Sequence, residues 1–168
     1  MYNINSSIEL DDNTLITSKT NLKGIITYCN QDFYEYSGYC ENEILYKHHN
    51  IVRHKDMPKA VFKLLWEYIR AGKEIFAFVK NRNKYGGYYW VFANVTPSVD
   101  EQRNIIGYYS VRRKPNPKAL SIIEPLYRQM LEVEHTQSVQ ASMLILDKIC
   151  KDSQKAYNQL IFELQRNH

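Results

Sequence analysis

The segment from His48 to Pro58 carries the densest set of side chains that could do chemistry. It places three histidines, one arginine and one aspartate ahead of an amphipathic stretch. We expect Asp56 to cap the following helix, because a carboxylate can accept the orphan N–H groups of a first turn. Arg53 and that helix N-terminus would together favour an anion such as a phosphate or pyrophosphate. A capped helix beside a solvated loop, without a ligand, is the alternative.

The histidines of this segment, His48, His49 and His54, are a weak indication of a metal site. Adjacent histidines point in different directions on most backbones, and no carboxylate or cysteine completes a familiar zinc spacing. We therefore predict no metal site. A haem-binding gas sensor that uses one of these histidines is kept as an alternative.

A second polar set lies on predicted strands, at Asn81 and Asn94. Because side chains two residues apart share one face of a strand, Trp90, Phe92 and Asn94 should project together. An unpaired amide on an aromatic face is costly, so it must meet either backbone or a ligand. Its donor and acceptor match the edge of a flavin ring. An asparagine on the outer face of the sheet is the alternative.

The elements that hold these residues follow a mixed α and β order. Five β-prone runs lie at 14–20, 24–29, 75–83, 88–96 and 105–113. Between the second and third runs come several short helices, with Asn30 as an N-cap and Gly38 as a helix end. This order predicts an α+β fold: a five-stranded antiparallel sheet, helices on one face, and a pocket between the two layers.

The composition changes at residues 114–117, where two prolines end the sheet region. Asn116 should cap a helix that Pro117 opens. Apolar residues from Val139 to Leu164 then recur in heptad steps, which predicts a helix that packs on its own domain or on another chain, as in a homodimer. We divide the chain into an N-terminal segment (1–13), a folded domain (14–114) and a C-terminal helical segment (115–168).

Composition and charge exclude several classes of protein. The net charge is only +4 and acidic residues are spread along the chain, so we predict no nucleic-acid partner. No apolar run approaches the ~20 residues that a membrane span needs, and no secretory signal is visible. The three cysteines show no CxxC spacing, and we expect reduced thiols in a cytoplasm. No catalytic motif is present, and we predict that the protein is not an enzyme.

Five segments resemble the PAS domains of the aerotaxis receptor family. They are Ile26–Phe33, Ser37–Tyr39, His49–Phe62, Val79–Arg82 and Tyr89–Asn94. The string H-N-x-V-R-H-x-D-M-P within the third segment is far more specific than the generic PAS pattern. The resemblance covers roughly residues 14–114, and Leu126–Met130 also resembles the stretch after the PAS domain in such proteins.

The resemblance implies a PAS fold that binds FAD non-covalently and reports the redox state of respiratory electron transport to the chemotaxis machinery. It also implies a set of residues that line or support the cofactor pocket. Carried over by position, they are Asn30, Arg53, His54, Asp56, Trp66, Asn81, Trp90 and Asn94.

The chain departs from this family at Ile75 and Ala77, where relatives carry Trp and Gly. A lost indole and a bulkier Ala could weaken flavin binding, which motivates a second alternative. In that alternative the chain is a cofactor-free interaction module whose pocket is filled by its own aromatic side chains. We also expect no transmembrane helix and no methyl-accepting domain. The chain thus resembles the single-domain CetB-type energy-taxis proteins, which signal through a separate membrane-bound receptor at the inner face of the membrane.

Overall fold

A computed structural model of the chain describes residues 6–166. Five antiparallel strands form one sheet in the order β2-β1-β5-β4-β3. The strands are β1 (Ile16–Thr20), β2 (Ile26–Cys29), β3 (Ile75–Arg82), β4 (Tyr88–Val99) and β5 (Ile105–Arg113). The predicted α+β class and the five-stranded antiparallel sheet are confirmed. Residues 1–5 of the predicted N-terminal segment lie outside the described residues. The rest of that segment contacts the sheet, since the Ile8 N–H donates to the Tyr88 carbonyl at 2.8 Å.

Short helices fill the connection between β2 and β3. They are α1 (Gln31–Ser37), α2 (Glu41–Ile44), a 3-10 turn (His49–Val52) and α3 (Lys59–Arg70). Asn30 caps α1 by accepting from the Phe33 N–H, and Gly38 ends it in the left-handed conformation with φ 74°. Both predictions are therefore confirmed. Helix α3 buries Ala60, Val61 and Ile69, which fixes it over the sheet.

Helix α3 begins differently from the sequence prediction. Pro58 holds the N-cap position and supplies no side-chain hydrogen bond. The first N–H groups of the helix, those of Lys59 and Ala60, donate to the Glu134 carboxylate at 2.9 and 2.8 Å. The prediction that Asp56 caps this helix is therefore wrong. The acidic cap comes from a distant part of the chain, and it satisfies the same orphan donors.

The C-terminal part of the chain is helical, as predicted. Its helices are α4 (Pro117–Thr136), α5 (Val139–Ser153) and α6 (Tyr157–Arg166). Asn116 caps α4 by accepting from the Lys118 N–H. The heptad stripe does not form one continuous helix, because Gln154 adopts a left-handed conformation with φ 54° and ends α5. Among the described residues, none of the helices combines the length and apolar character that a bilayer crossing requires.

The heptad stripe packs within its own chain. Met143, Leu146 and Tyr157 of the stripe are buried there, together with Ile161 one position after Leu160. This burial favours the first of the two packings considered above. The other positions of the stripe, Val139, Cys150, Ser153, Leu160 and Leu164, are only half-buried.

The C-terminal helices also cover β3, the edge strand of the sheet. Asn158 Oδ1 accepts from the Phe76 N–H at 2.9 Å, and Tyr127 OH donates to the Phe78 carbonyl at 2.8 Å. The Tyr127 ring lies against Trp90 on the outer sheet face, with centroids 6.0 Å apart. An exposed edge strand would offer these backbone groups to another chain. Here they are bonded to the protein's own helices.

We expect Glu134→Ala to destabilise the protein by about 1–2 kcal/mol, the usual cost of a lost N-cap. Two N–H groups of α3 would lose their acceptor. The exposed Glu132 of the same helix offers a matched control, Glu132→Ala. Urea unfolding of both variants measures the difference. Equal free energies of unfolding for the two variants would contradict the capping role.

Candidate ligand-binding site

A cavity of about 190 Å³ lies between the sheet and helix α3. Its apolar lining comes from the sheet floor and from α3: Val79, Ala93, Val95, Phe62, Leu65 and Trp66. Gly24 lies at one side of the cavity and adopts a left-handed backbone conformation with φ 77°. A Cβ at that position would lie 3.0 Å from His48 Nε2 and 3.2 Å from the Trp66 ring. A larger residue at position 24 would therefore push against the helical roof of the cavity.

Polar side chains cross the otherwise apolar floor. Ser18 of β1, Ser110 and Arg112 of β5, and Asn81 of β3 all line the cavity. The antiparallel register pairs Ser18 with Ser110. Asn81 is 3% exposed and Arg112 is 4% exposed, so both are held away from bulk water. An apolar pocket with a few convergent polar groups is the usual form of a small-molecule site.

Arg112 is the charged residue of this floor. Its Nη2 donates to Ser18 Oγ at 3.0 Å and to His49 Nε2 at 2.7 Å. A guanidinium can only donate, so His49 Nε2 is the acceptor and the imidazole is neutral. Burial and the neighbouring guanidinium lower the pKa of His49 to about 3, and burial lowers the pKa of Arg112 to about 10.

Two buried polar atoms of the cavity lining, Arg112 Nη1 and Ser110 Oγ, have no hydrogen-bond partner among the described residues. Within residues 6–166, no carboxylate forms an ion pair with Arg112. Besides His49, its titratable neighbours are Tyr89 and Cys29. Burial raises the pKa of the Cys29 thiol to about 12 and also raises the pKa of Tyr89, so both stay neutral at pH 7. A buried donor without an acceptor is costly. In the described part of the chain, Arg112 Nη1 is such a donor, and it is available to an acceptor atom of a ligand in the cavity.

A basic surface groove of about 550 Å³ continues from the cavity. The two share Asn50 and Arg53 in their linings. The basic side chains of the groove are Arg53, His54, Lys55, Arg82 and Lys84. Lys84 pairs with Glu43. The Arg53 guanidinium lies over the Phe62 ring, 4.1 Å from its centroid, and so stands where the groove meets the cavity.

Three of the predicted cofactor residues line the cavity: Arg53, Trp66 and Asn81. His54 lines the groove, where its Nδ1 accepts from the Asp56 N–H at 3.1 Å. Asp56 is not in either lining. Its carboxylate binds Lys80 Nζ at 2.8 Å, which holds the loop before α3 against the sheet.

Asn94 and Trp90 share one face of β4, as predicted, but it is the face opposite the cavity. Val91, Ala93 and Val95 alternate with them, and Ala93 and Val95 line the cavity. The Asn94 amide donates to Glu74 Oε2 at 3.1 Å at an exposed site. The alternation therefore predicted which residues share a face but not which face is inward, and the outer-face alternative for Asn94 describes the structure.

Asn30 also lies outside the cavity lining, because its amide is occupied elsewhere. Its Oδ1 accepts from the Thr17 N–H at 2.9 Å, and its Nδ2 donates to the Leu15 carbonyl at 2.7 Å. These bonds tie the start of α1 to β1. The contribution of Asn30 to the cavity is thus the placement of two elements.

The anion expected at the N-terminus of α3 cannot bind as anticipated. Glu134 already accepts from the first two N–H groups there. The capacity to attract an anion therefore rests on side chains, chiefly Arg53 and its basic neighbours in the groove.

The three clustered histidines face three different surroundings. His48 Nδ1 accepts from the Asn50 N–H, His54 Nδ1 accepts from Asp56, and His49 Nε2 faces the Arg112 guanidinium. No group of three His, Cys, Asp or Glu in residues 6–166 is arranged to hold a metal ion. The cavity-side nitrogen of His49 is bonded to a cation, so this arrangement gives the haem alternative no ligand at that position.

Sequence reasoning missed Arg112, Ser110 and Ser18 as site residues. One signal was available: Arg112 and Ser110 alternate with the same period as Tyr108 on β5, and all three line the cavity. A charged residue on a strand normally indicates the solvent-exposed face, so the sequence did not predict that Arg112 is buried.

Comparison with known proteins gives a consistent picture. The model of the PAS fold family matches residues 26–112. The aerotaxis receptor of Escherichia coli K12 is 40% identical over 129 residues, which are 77% of this chain and 25% of the receptor. The chain therefore spans about a quarter of that relative.

Solved structures at lower identity show the same fold. The light-state LOV domain of the blue-light photoreceptor Aureochrome1 matches with a TM-score of 0.58 and 22% identity, over 64% of this chain and 86% of that one. The PAS domain of the fruit-fly ELK potassium channel matches with a TM-score of 0.54 and 17% identity, over 59% of this chain and 85% of that one.

We expect acid to weaken the fold through His49. The unfolded imidazole has a pKa of about 6.5, whereas the folded one is held near 3, so between these values the unfolded state binds one more proton. Each pH unit below about 6.5 should then cost about 1.4 kcal/mol. Between pH 7.5 and pH 5, His49→Asn should lose about 2 kcal/mol less stability than the natural chain.

Urea unfolding at the two pH values provides the measurement. His135→Asn is the matched control, since His135 is exposed on α4. If His49→Asn and His135→Asn show the same dependence of stability on pH, the buried neutral imidazole is not the cause.

Proposed function

The chain belongs to the PAS fold family, and we propose that it binds FAD non-covalently and acts as a redox sensor for chemotaxis-type signalling. The observation that carries this proposal is the apolar cavity that joins a basic groove at Arg53. The similarity of the chain to the aerotaxis receptor supports the signalling part of the proposal.

The two compartments fit the two chemical halves of FAD. A cavity of about 190 Å³ is smaller than the roughly 300–1,000 Å³ of pockets that hold whole drug-sized ligands, so it cannot enclose all of FAD, and we assign only the flavin ring to it. Asn81 and Ser110 offer polar groups to the ring edge, and Trp66 offers an apolar wall. In the groove, Arg53 and Lys55 suit the pyrophosphate. When bound, the flavin supplies reversible redox chemistry.

The departures at Ile75 and Ala77 do not fill the cavity. Both side chains are buried in β3, but the cavity lining on this strand is Val79 and Asn81. The aromatic residues Phe62 and Trp66 line the space without occupying it. These contacts favour FAD binding over the cofactor-free interaction module, which remains the second candidate.

We further propose that the C-terminal segment, residues 115–168, carries the signal to a membrane-bound chemotaxis-type receptor from the cytoplasmic side. Helix α3 supplies the cavity roof through Trp66, and its first N–H groups are held by Glu134 of α4. A change in the ring that moves α3 would therefore act directly on α4. Such coupling requires two arrangements of this contact.

We expect the purified protein to bind one FAD per chain, and Arg53→Ala to weaken that binding about tenfold, or about 1.4 kcal/mol. The physical reason is the lost positive charge at the junction of cavity and groove. Arg128→Ala, an exposed position on α4, is the control and should bind normally. Absorption spectra and quenching of flavin fluorescence during titration measure the affinity.

A chain that stays colourless after incubation with FAD would favour the interaction module. A haem absorption band would instead support the gas-sensor alternative. Equal affinities of Arg53→Ala and Arg128→Ala would remove Arg53 from the site.

We expect reduction of bound FAD to change hydrogen exchange at the amides of Lys59 and Ala60, because Glu134 joins them to the output helix. The Lys118 amide is a matched control, since it also opens a helix but bonds to its own cap, Asn116. NMR exchange rates in the oxidised and reduced states provide the measurement. Unchanged rates at Lys59 and Ala60 would contradict this route.

A further inference from the structure

We propose that Arg112 is the charge-selecting residue of the cavity: its free Nη1 donates to an acceptor atom of the bound ring, and its charge favours the ring when that ring is electron-rich. The assignment rests on the proposed binding of FAD. It adds a residue that neither the sequence motifs nor the family resemblance indicated, and it names the property of the ligand to which that residue responds.

The first support is the hydrogen bonding of the guanidinium. Nη2 is engaged by Ser18 and His49. Nη1 is buried and has no partner among the described residues, although Arg112 lines the cavity. Half of the donor fork is thus already oriented by the protein, and the other half is left for a ligand. Ring carbonyls and ring nitrogens are acceptors of the matching kind.

The second support is the charge of the surroundings. Ser18 is neutral, and the neighbouring groups Cys29 and Tyr89 stay protonated at pH 7. His49 is neutral because burial keeps its pKa far below 7. The guanidinium also lies 5.6 Å from the centroid of the Phe33 ring. Around Arg112, the described residues therefore supply neutral acceptors and an aromatic face, but no negative charge.

A reducible ring can supply the missing charge. When a two-electron donor reduces a neutral flavin ring, the ring gains two electrons and one proton from solvent, and its charge becomes −1. Arg112 keeps its proton throughout. The guanidinium should therefore bind the reduced ring more tightly than the oxidised one, because opposite charges attract strongly where water is excluded.

The same charge should weaken the ligand-free protein. A buried cation without a counter-ion carries a desolvation penalty that neutral acceptors only partly offset. Methionine has a long apolar side chain that can fill part of the same space. Ser18 Oγ already bonds His49 Nε2 at 3.2 Å, so after Arg112→Met each of these two groups keeps the other as its partner. We therefore expect a trade-off in which the variant loses ligand but not stability.

The experiment compares the full chain with Arg112→Met, Arg112→Lys and the control Arg113→Met, whose residue is exposed on the same strand. FAD is titrated in its oxidised form and in its dithionite-reduced form. We expect Arg112→Met to lose about tenfold more affinity for reduced than for oxidised FAD. That ratio corresponds to a midpoint potential about 30 mV lower for a two-electron couple. Arg112→Lys should lie between, because it keeps the charge without the fork.

Thermal unfolding of the ligand-free proteins is the second readout. Arg112→Met should melt at the same temperature as the natural chain or higher, and Arg113→Met should match the natural chain in every measurement. An Arg112→Met protein that melts well below the natural chain would overturn the claim of an uncompensated charge.

The outcomes separate the two proposals. A natural chain that binds FAD, with an Arg112→Met variant that keeps the natural chain's affinity for the oxidised form and for the reduced form, would overturn only the role of Arg112. A natural chain that binds neither form would overturn the proposed function, and the assignment of Arg112 to a flavin with it.

Discussion

The site depends on one buried positive charge that the protein solvates only with neutral groups. Ser18 and His49 accept from one nitrogen of the Arg112 guanidinium, at 3.0 and 2.7 Å. Together with burial, that contact keeps His49 neutral. It also ties β1 to β5 and to the turn after α2, and it leaves the second nitrogen without a partner among the described residues. A fold optimised only for stability would place an apolar residue there. The proposed ligand chemistry therefore starts from this charge and from the Nη1 atom beside the cavity, which has no partner within residues 6–166.

A second long-range interaction links this cavity to the rest of the chain. The Glu134 carboxylate accepts from the first N–H groups of α3, the helix that roofs the cavity. Tyr127 of the same helix α4 bonds the edge strand β3, which contributes to the cavity floor. Helix α4 therefore touches both layers that enclose the ligand space. Helix α4 is thus hydrogen-bonded both to the helix and to the strand that line the cavity.

Local signals in the sequence predicted the elements well, and long-range contacts account for most of what they missed. Asn30 and Gly38 bound α1 as expected, because cap and left-handed preferences act within a few residues. Asp56 was the wrong cap, since the groups it would have bonded find an acceptor 74 residues away from Ala60. Alternation placed Asn94 correctly beside Trp90, but parity alone does not say which sheet face is inward. Arg112 was not predicted as a site residue because its partners are distant in sequence. Ser18 lies on β1 and His49 on the turn after α2, whereas Arg112 lies on β5.

A crystal structure of the chain with bound FAD would test the central claim most directly. We expect the flavin ring between the sheet and α3, with one of its acceptor atoms within about 3.2 Å of Arg112 Nη1, and the phosphates beside Arg53. A ring bound elsewhere on the protein, or a ring in the cavity that leaves Nη1 without an acceptor, would contradict the claim that this buried charge exists to receive the ligand.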